Sequence, residues 1–514
     1  MKNILVVGGG SAGVMSAYTL KKLFPKKNVT LLESKNIPTV GVGESTLGHI
    51  NQWLALVGIV EDDFMKECNA SYKMSIRFEN FYSKKDGGFH YPFGKPVIQG
   101  NRARLNDWYF KKILYPKTPI SNYADIHYPI MSLVNKNKIL TDTQNITVGL
   151  EGYSFKRDVA YHFDATLFAN CLKKKFIQIG GKVKIGSIIK IHQNKNGIEK
   201  VLTDEKETLK ADLFIDCTGW KSLLLGETLK EPFKSYEDML PNNSAWATKL
   251  PYTNKKKQLV PYTNCEAINN GWVWTIPLWS RIGTGYVYSD KYISDEDALK
   301  EFKKHLKKDN LKFRKLKMRV GIHDRLFVKN VCAIGMSAGF IEPLESNGLL
   351  TVHEFLFKLV KILTNRPVIS NFVKQQFNMS CKKFFHDFAE FVAAHYALTT
   401  RNDTKYWRDI QNRKYNIDEN VIHGNSTFQS INQSCFNDYH YPTISGMGCI
   451  GTGMRFFPTD ENSLKHGNYS SDLNFLRDDA KEKTLQLDMR EQEWRNKVSV
   501  CPSLYEFLEK KYSQ

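Results

Sequence analysis

Residues 3–7 form a short apolar run that passes straight into a glycine loop, residues 8–13. Residues 14–24 then repeat their apolar positions at helical spacing, and residues 28–33 read as a second strand, so the chain opens with a β-α-β unit. Residues 211–219 and 331–335 are two further apolar runs that end in glycine, the pattern of strands buried in a parallel sheet. Between them, residues 182–192 and 197–208 alternate like the arms of an antiparallel hairpin. Around Lys73 a strand is expected, with Met74, Ile76 and Phe78 on one face and Lys73, Ser75 and Arg77 on the other. From Gly348 onward the pattern is largely helical, and Phe384, Phe388 and Phe391 in the stretch 372–398 form a stripe expected to be core. The fold class predicted is α/β, with residues 1–370 as a nucleotide-binding module carrying an inserted substrate sheet and 371–514 as a mainly helical region that completes the substrate pocket.

Hydrophobic residues make up 42% of the 514, enough for a sizeable core, which excludes wholesale disorder. No apolar stretch approaches the roughly 18 residues of a membrane span, and the N-terminal apolar run lacks a signal-peptide pattern. The net charge of +20 comes from lysine bursts spread over the whole chain. A nucleic-acid binder would gather them into one stripe, so solvated faces are expected and no nucleic acid or membrane partner. The nine cysteines occur singly, without C-x-x-C or zinc spacing, which suggests free thiols, a reducing cytoplasmic setting and no metal site.

The glycine loop fits G-x-G-x-x-G, with a strand before it, a helix after it and Glu33 at the end of the next strand. Together these point to a dinucleotide site. Gly8 permits the tight turn, Gly10 lets a pyrophosphate approach, and Gly13 allows close helix–strand packing. Ser11 and Ala12 open the helix whose N-terminus faces the phosphates, and Glu33 would accept the ribose hydroxyls. Asp216 and Gly335, at the ends of two later strands, are expected to join this site. A second formal match, Gly446-x-Gly448-x-x-Gly451, has no apolar strand before it and Pro458 soon after, and reads as a turn-rich loop. One dinucleotide site suggests one tightly held cofactor.

Four segments resemble the flavin-dependent halogenases of the tryptophan-halogenase-like branch. They are residues 8–13 with 41–46 (GVGEST), residues 69–78 around Lys73, the W-x-W-x-I-P box of residues 271–277, and residues 341–348 (IEPLESNG). Further similarity lies at residues 161–164 and 394–407. The resemblance implies a Rossmann-like core of the flavin monooxygenase type that binds FAD, used as FADH2 with O2 and a halide ion (chloride, bromide or iodide). A separate NAD(P)H-dependent flavin reductase would supply the reduced flavin. It adds Gly43, Glu44, Ser45 and Gly348 to the cofactor site and assigns Lys73 and Glu345 as catalytic. Ser346, Asn347 and Gly348 would hold halide, with Asn347 standing where the family usually has Thr. Trp272, Trp274 and Pro277 would line the passage that keeps organic substrate from the flavin. The oligomeric state is left open between monomer and homo-oligomer.

The chemistry is sensible for these residue types. A lysine can hydrogen-bond hypohalous acid and polarise its halogen, or form a haloamine with it. The second route needs a neutral amine, hence burial that lowers a pKa of about 10.4. A fixed carboxylate stabilises the positive charge of electrophilic aromatic substitution and takes the released proton. The substrate end departs from the family. Tyr91 and Phe93 match one aromatic wall, but Tyr441 and Pro442 occupy the stretch where a clamping Phe-Trp pair is usual, with Pro442 at the Trp position. The expectation is therefore a small electron-rich aromatic substrate other than free tryptophan. In this the chain is similar to the broad-substrate halogenases of marine cyanophages, which would put it in a host cytoplasm. The alternatives are an aromatic-hydroxylating flavin monooxygenase, and a redox-silent flavoprotein or nucleic-acid-binding module.

Overall fold

The computed structural model describes residues 1–36, 44–97, 107–364, 368–415, 446–457 and 473–513. The strand Asn3–Val7 lies at the middle of a six-stranded sheet, parallel to Asn28–Glu33 on one side and Leu213–Asp216 on the other. Lys182–Ile185 and Val331–Ala333 extend it in parallel, and Phe327–Val328 closes one edge antiparallel. Ile4 through Val7 are all buried, as a strand covered on both faces requires. The helix Ser11–Leu23 packs against this sheet so closely that a Cβ on Gly13 would lie 1.7 Å from the Gly8 carbonyl oxygen.

The expected hairpin is corrected in one arm. Lys182–Ile185 belongs to the parallel sheet, and the hairpin is formed by Ile188–Asn194 with Gly197–Thr203. The chain turns at Gly186, whose N–H donates to the Glu33 carbonyl at the end of the parallel pairing.

A seven-stranded, mostly antiparallel sheet makes the second layer. Its central strand, Gly271–Pro277, is flanked by Tyr262–Ile268 and Ile282–Tyr288. Ser75–Glu79 and Gly88–Pro92 complete one side. The strand expected through Lys73 breaks at Met74, whose N–H donates to the Pro261 carbonyl. Ser71–Lys73 pairs instead with Ala160–Phe163, in a separate small sheet with Glu44–Ser45. Lys73 is buried completely, and so is Ser75 beyond the break, while Arg77 is half-buried.

The helices Gly348–Thr364 and Asn371–Ala397 cover these sheets; of the expected stripe Phe388 and Phe391 are buried, while Phe384 is only half-buried. Residues Met447–Gly453, expected as a loop, form a seven-residue α-helix. Gly446 enters it at φ 102°, and a Cβ there would sit 2.4 Å from the Tyr91 ring, so only glycine lets the chain lie flat on that ring. The helices Leu473–Lys497 and Leu504–Ser513 end the chain, and Lys511 pairs with Glu61 and Asp62. Among the described residues no helix is long and apolar enough to cross a membrane, no group of side chains could hold a metal ion, and all eight cysteines are buried and free.

Candidate active site

A cavity of about 650 Å³ is lined by the glycine loop, by Trp272 and Trp274 of the second sheet and by residues 346–348. Gly10 caps the helix Ser11–Leu23, and a Cβ built on it would meet nothing within 4 Å. That open space sits before the unpartnered first-turn amides of the helix, where a phosphate is favoured. Glu33, Ser45 and Gly335 also face the cavity. The Glu33 carboxylate is held by Lys173, whose Nζ lies 2.9 Å from both oxygens. An anion-binding helix end, a carboxylate beyond it and a backbone free of obstruction fit a dinucleotide such as FAD.

Asp216 requires a correction. It is fully buried beneath the cavity wall, and its two oxygens are occupied by the Thr218 amide and hydroxyl and by the amides of Leu224 and Leu225. It shapes the turn that carries Gly219 instead of facing the cofactor. Gly13 serves packing. Gly43 lies outside the described residues, and Glu44 lies within the small sheet beside Ser45.

The Lys73 Nζ donates to the Thr46 carbonyl at 3.0 Å and to the Ser346 hydroxyl at 2.9 Å, and stands 5.0 Å from the centre of the Phe93 ring. Burial pushes its pKa from 10.5 down to about 7, partly offset by Cys265 and Glu345. Beyond Ser346 runs a chain of buried groups from four other segments. Ser346 donates to Ser45 at 3.1 Å, Ser45 meets Thr263 at 2.6 Å, and Thr263 meets the His162 Nε2 at 2.9 Å. The His162 Nδ1 lies 3.4 Å from the Ser71 hydroxyl, which donates to the Pro277 carbonyl. A carbonyl can only accept, so Ser71 must accept from Nδ1–H, and the Nε2 lone pair must accept from Thr263. Every donor from Lys73 to His162 therefore points the same way.

Glu345 ends the single turn Pro343–Glu345 and is fully buried. Burial raises its pKa against the opposing pull of His395 and Lys73. The His395 Nε2 lies 3.1 Å from Glu345 Oε1, out of line for a hydrogen bond, and neither carboxylate oxygen has a hydrogen-bond partner among the described residues. Ser346 follows at φ 55°, a left-handed turn that swings the chain toward Lys73. The Asn347 side chain donates to the Glu342 carbonyl at 2.8 Å, and Gly348 starts the 17-residue helix.

Trp272 and Trp274 stand side by side on the cavity wall, with ring centroids 6.2 Å apart. Pro277 ends their strand, off the cavity wall, and contributes its carbonyl to Ser71. Tyr91 and Phe93 meet edge to face at 6.0 Å on the Lys73 side. Tyr441 and Pro442 lie outside the described residues. Three side chains that sequence reasoning did not single out belong to this site: His162, Glu342 and His395. Their segments carried the resemblance, but no periodicity marks them, since each meets its partner across a long sequence separation.

Over residues 3–464 the sequence matches the family model described as tryptophan halogenase. It is 34% identical over 425 residues to the tryptophan 7-halogenase RebH of Lentzea aerocolonigenes, covering 79% of this chain and 78% of that one. The 7-chloro-L-tryptophan 6-halogenase KtzR of Kutzneria sp. (strain 744) is 34% identical over 438 residues, 80% of this chain and 82% of its own. Among solved structures, the apo structure of VirX1 matches with a TM-score of 0.90 at 35% identity, covering 100% of both chains. The tryptophan 6-halogenase SttH from Streptomyces toxytricini matches at 0.82 with 30% identity, over 99% of this chain and 100% of that one. Halogenation, not hydroxylation, is what the names of RebH, KtzR and SttH share. The chain belongs to the tryptophan halogenase family and is a flavin-dependent halogenase.

Proposed function

We propose that this enzyme halogenates electron-rich aromatics other than free tryptophan, with Lys73 delivering the halogen and Glu345 serving the arene. Ser346 is the observation that carries the reading. It lines the flavin cavity, accepts a hydrogen bond from Lys73 and directly follows Glu345 in the chain. Bound in that cavity, reduced FAD together with O2 supplies the two-electron oxidation of halide to hypohalous acid. The amides of Asn347 and Gly348 hold the halide at the start of a 17-residue helix, with the Asn347 carboxamide turned away toward Glu342. Trp272 and Trp274 close the wall to an arene and leave passage for the small acid.

At Lys73, Thr46 and Ser346 take two N–H groups, which leaves the third for the hypohalous oxygen. A pKa near 7 makes the ammonium a far stronger acid than an ordinary lysine, matched to work near neutrality. A ring π pair forms the C–X bond while the O–X pair moves onto oxygen. Lys73 protonates that oxygen to give water, Glu345 takes the ring proton, and its transfer to Lys73 restores both groups. The Glu345 charge, held away from water, stabilises the cationic ring before the proton leaves.

Tyr91 and Phe93 supply one aromatic wall. Pro442 in place of a clamping Trp supports a wider pocket for phenols, anilines and indoles, held loosely enough that the most activated carbon reacts. Bromide and iodide, the more easily oxidised halides, should match or exceed chloride. A separate flavin reductase is the partner. The test is a competition between tryptophan and an activated phenol, run with FAD, NADH, a flavin reductase and each halide in turn, with products read by mass spectrometry. Halogenated phenol should dominate. Preference for tryptophan would overturn the substrate reading, and products carrying added oxygen in place of halogen would overturn the chemistry.

A further inference from the structure

Glu345 is buried with two oxygens that lack hydrogen-bond partners among the described residues, although its neighbours are closely packed. Its environment includes Lys73 on the strand Ser71–Lys73, Cys265 on Tyr262–Ile268, Cys449 on the helix Met447–Gly453, and Glu342 on its own loop. His395, on the helix Asn371–Ala397, approaches closest, with its Nε2 3.1 Å from Oε1. The ring is clamped by Phe78 at 4.6 Å and Phe391 at 6.1 Å between centroids, and is itself fully buried.

The other ring nitrogen fixes the protons. Nδ1 lies 3.1 Å from the Val392 carbonyl, which can only accept, so Nδ1 carries hydrogen. Nε2 then faces Oε1 at 3.1 Å, out of line for a hydrogen bond, so the contact is one of charge and not of a shared hydrogen.

We propose that His395 is the positioning residue for Glu345: its imidazole stands against Oε1 as an ion-pair partner, and this keeps the carboxylate ionised with Oε2 free for the arene. The inference rests on the assignment of Glu345 to the arene. When the ring C–H pair returns to the π system, its proton passes to Oε2 while His395 stays against Oε1. The pair gains one positive charge as Lys73, having protonated the hypohalous oxygen, loses one, so the total charge of the site is unchanged. An unassisted buried carboxylate would tend to be protonated already and unable to accept.

The experiment compares the wild type with His395→Met, His395→Gln and Glu345→Gln, measuring phenol halogenation across the neutral pH range and hypohalous acid released by the holoenzyme. Met fills similar space without a donor. Gln keeps an N–H near the Nε2 position. In His395→Met the halogenation rate should fall about 10²-fold, and the acid limb of its pH profile should move up by a pH unit or more, with acid release unchanged. His395→Gln should recover part of the rate and return the limb toward the wild type. An acid limb in His395→Met that overlays the wild type, however large the rate loss, would overturn the proposal and leave only packing. Should His395→Met fail to fold, full rate with an acid limb that overlays the wild type in His395→Gln would do the same, because a neutral amide brings an N–H but no charge and its limb should stop short of the wild type. Full activity in Glu345→Gln would instead overturn the assignment of Glu345 itself.

Discussion

The indole N–H of Trp272 donates to the Glu342 carboxylate, which also accepts from the Tyr396 hydroxyl and, at 2.7 Å, from the Asn242 amide. Tyr406 donates in turn to Asn242 at 3.1 Å. The wall tryptophan is thus fixed by a buried carboxyl group, whose pKa burial raises, and by residues of the helical region behind it.

Trp272→Phe keeps most of the ring surface and removes one donor from the Glu342 carboxyl group. The cost should be about 1–3 kcal/mol, the usual penalty for a buried polar group left short of a partner. We expect a lower urea midpoint and a larger fall in arene halogenation than in flavin reoxidation. An unchanged midpoint would mean that the indole hydrogen bond contributes nothing.

Lys73→Met should abolish arene halogenation while reduced flavin still reacts with O2, because the lysine acts after hypohalous acid forms. The same change should make the protein more stable. Lys73 has a pKa of about 7 when folded and an ordinary lysine value when unfolded, so the unfolded chain binds more protons between those values. The destabilisation from charging Lys73 is fully present below about pH 7 and fades as pH rises toward the unfolded value. Melting curves should show a higher Tm for Lys73→Met at and below neutrality, and convergence with the wild type in alkali. A lower Tm at neutrality would show that the bonds to Thr46 and Ser346 outweigh the burial cost.

With Lys73 acting as an acid, halogenation by the wild type should decline as pH rises through about 7, since the ammonium is lost there. Stopped-flow chemistry on pre-formed hypohalous acid isolates that step from flavin oxidation. A rate that climbs with pH would favour the haloamine route through the neutral amine.

Glu345→Gln retains size and loses charge. Transition-state stabilisation should fall by about 3 kcal/mol, roughly 10²-fold in kcat, with flavin affinity intact. A drop confined to flavin affinity would move Glu345 into the cofactor site.

Two alanines in the glycine loop should behave oppositely. Gly13→Ala drives a Cβ into the Gly8 carbonyl, 1.7 Å away, and should cost much of the fold. Gly10→Ala meets no protein atom, so its Tm should stay put while FAD affinity, read by fluorescence quenching, falls at least several-fold. Equal FAD affinity for wild type and Gly10→Ala would place the pyrophosphate elsewhere.

The opening β-α-β unit, the tryptophan pair and the Phe388–Phe391 stripe were legible because spacing alone sets which side chains share a face. Lys73 was legible only by resemblance. Its alternation with Ser75 and Arg77 suggested an open face, but other segments cover that face, and Ser75 is as buried as Lys73. Asp216 misled for a related reason, since a strand-end acid can meet a ribose or cap its own turn, and only the positions of Leu224 and Leu225 decide between them. His395 meets Glu345 from a helix fifty residues further on, a separation that leaves no local trace.

The hydroxyl chain from Lys73 takes its direction from the Pro277 carbonyl. Every amino acid brings a carbonyl, so no substitution at position 277 deletes that terminal acceptor. The hydroxyls between are replaceable one at a time, Ser by Thr or Thr by Ser, without reversing the series. The one link that no other hydroxyl can replace is His162, whose two ring nitrogens join Thr263 to Ser71. Without it the run no longer ends at Pro277, and the lone pair that Ser346 turns to Lys73 loses its fixed direction.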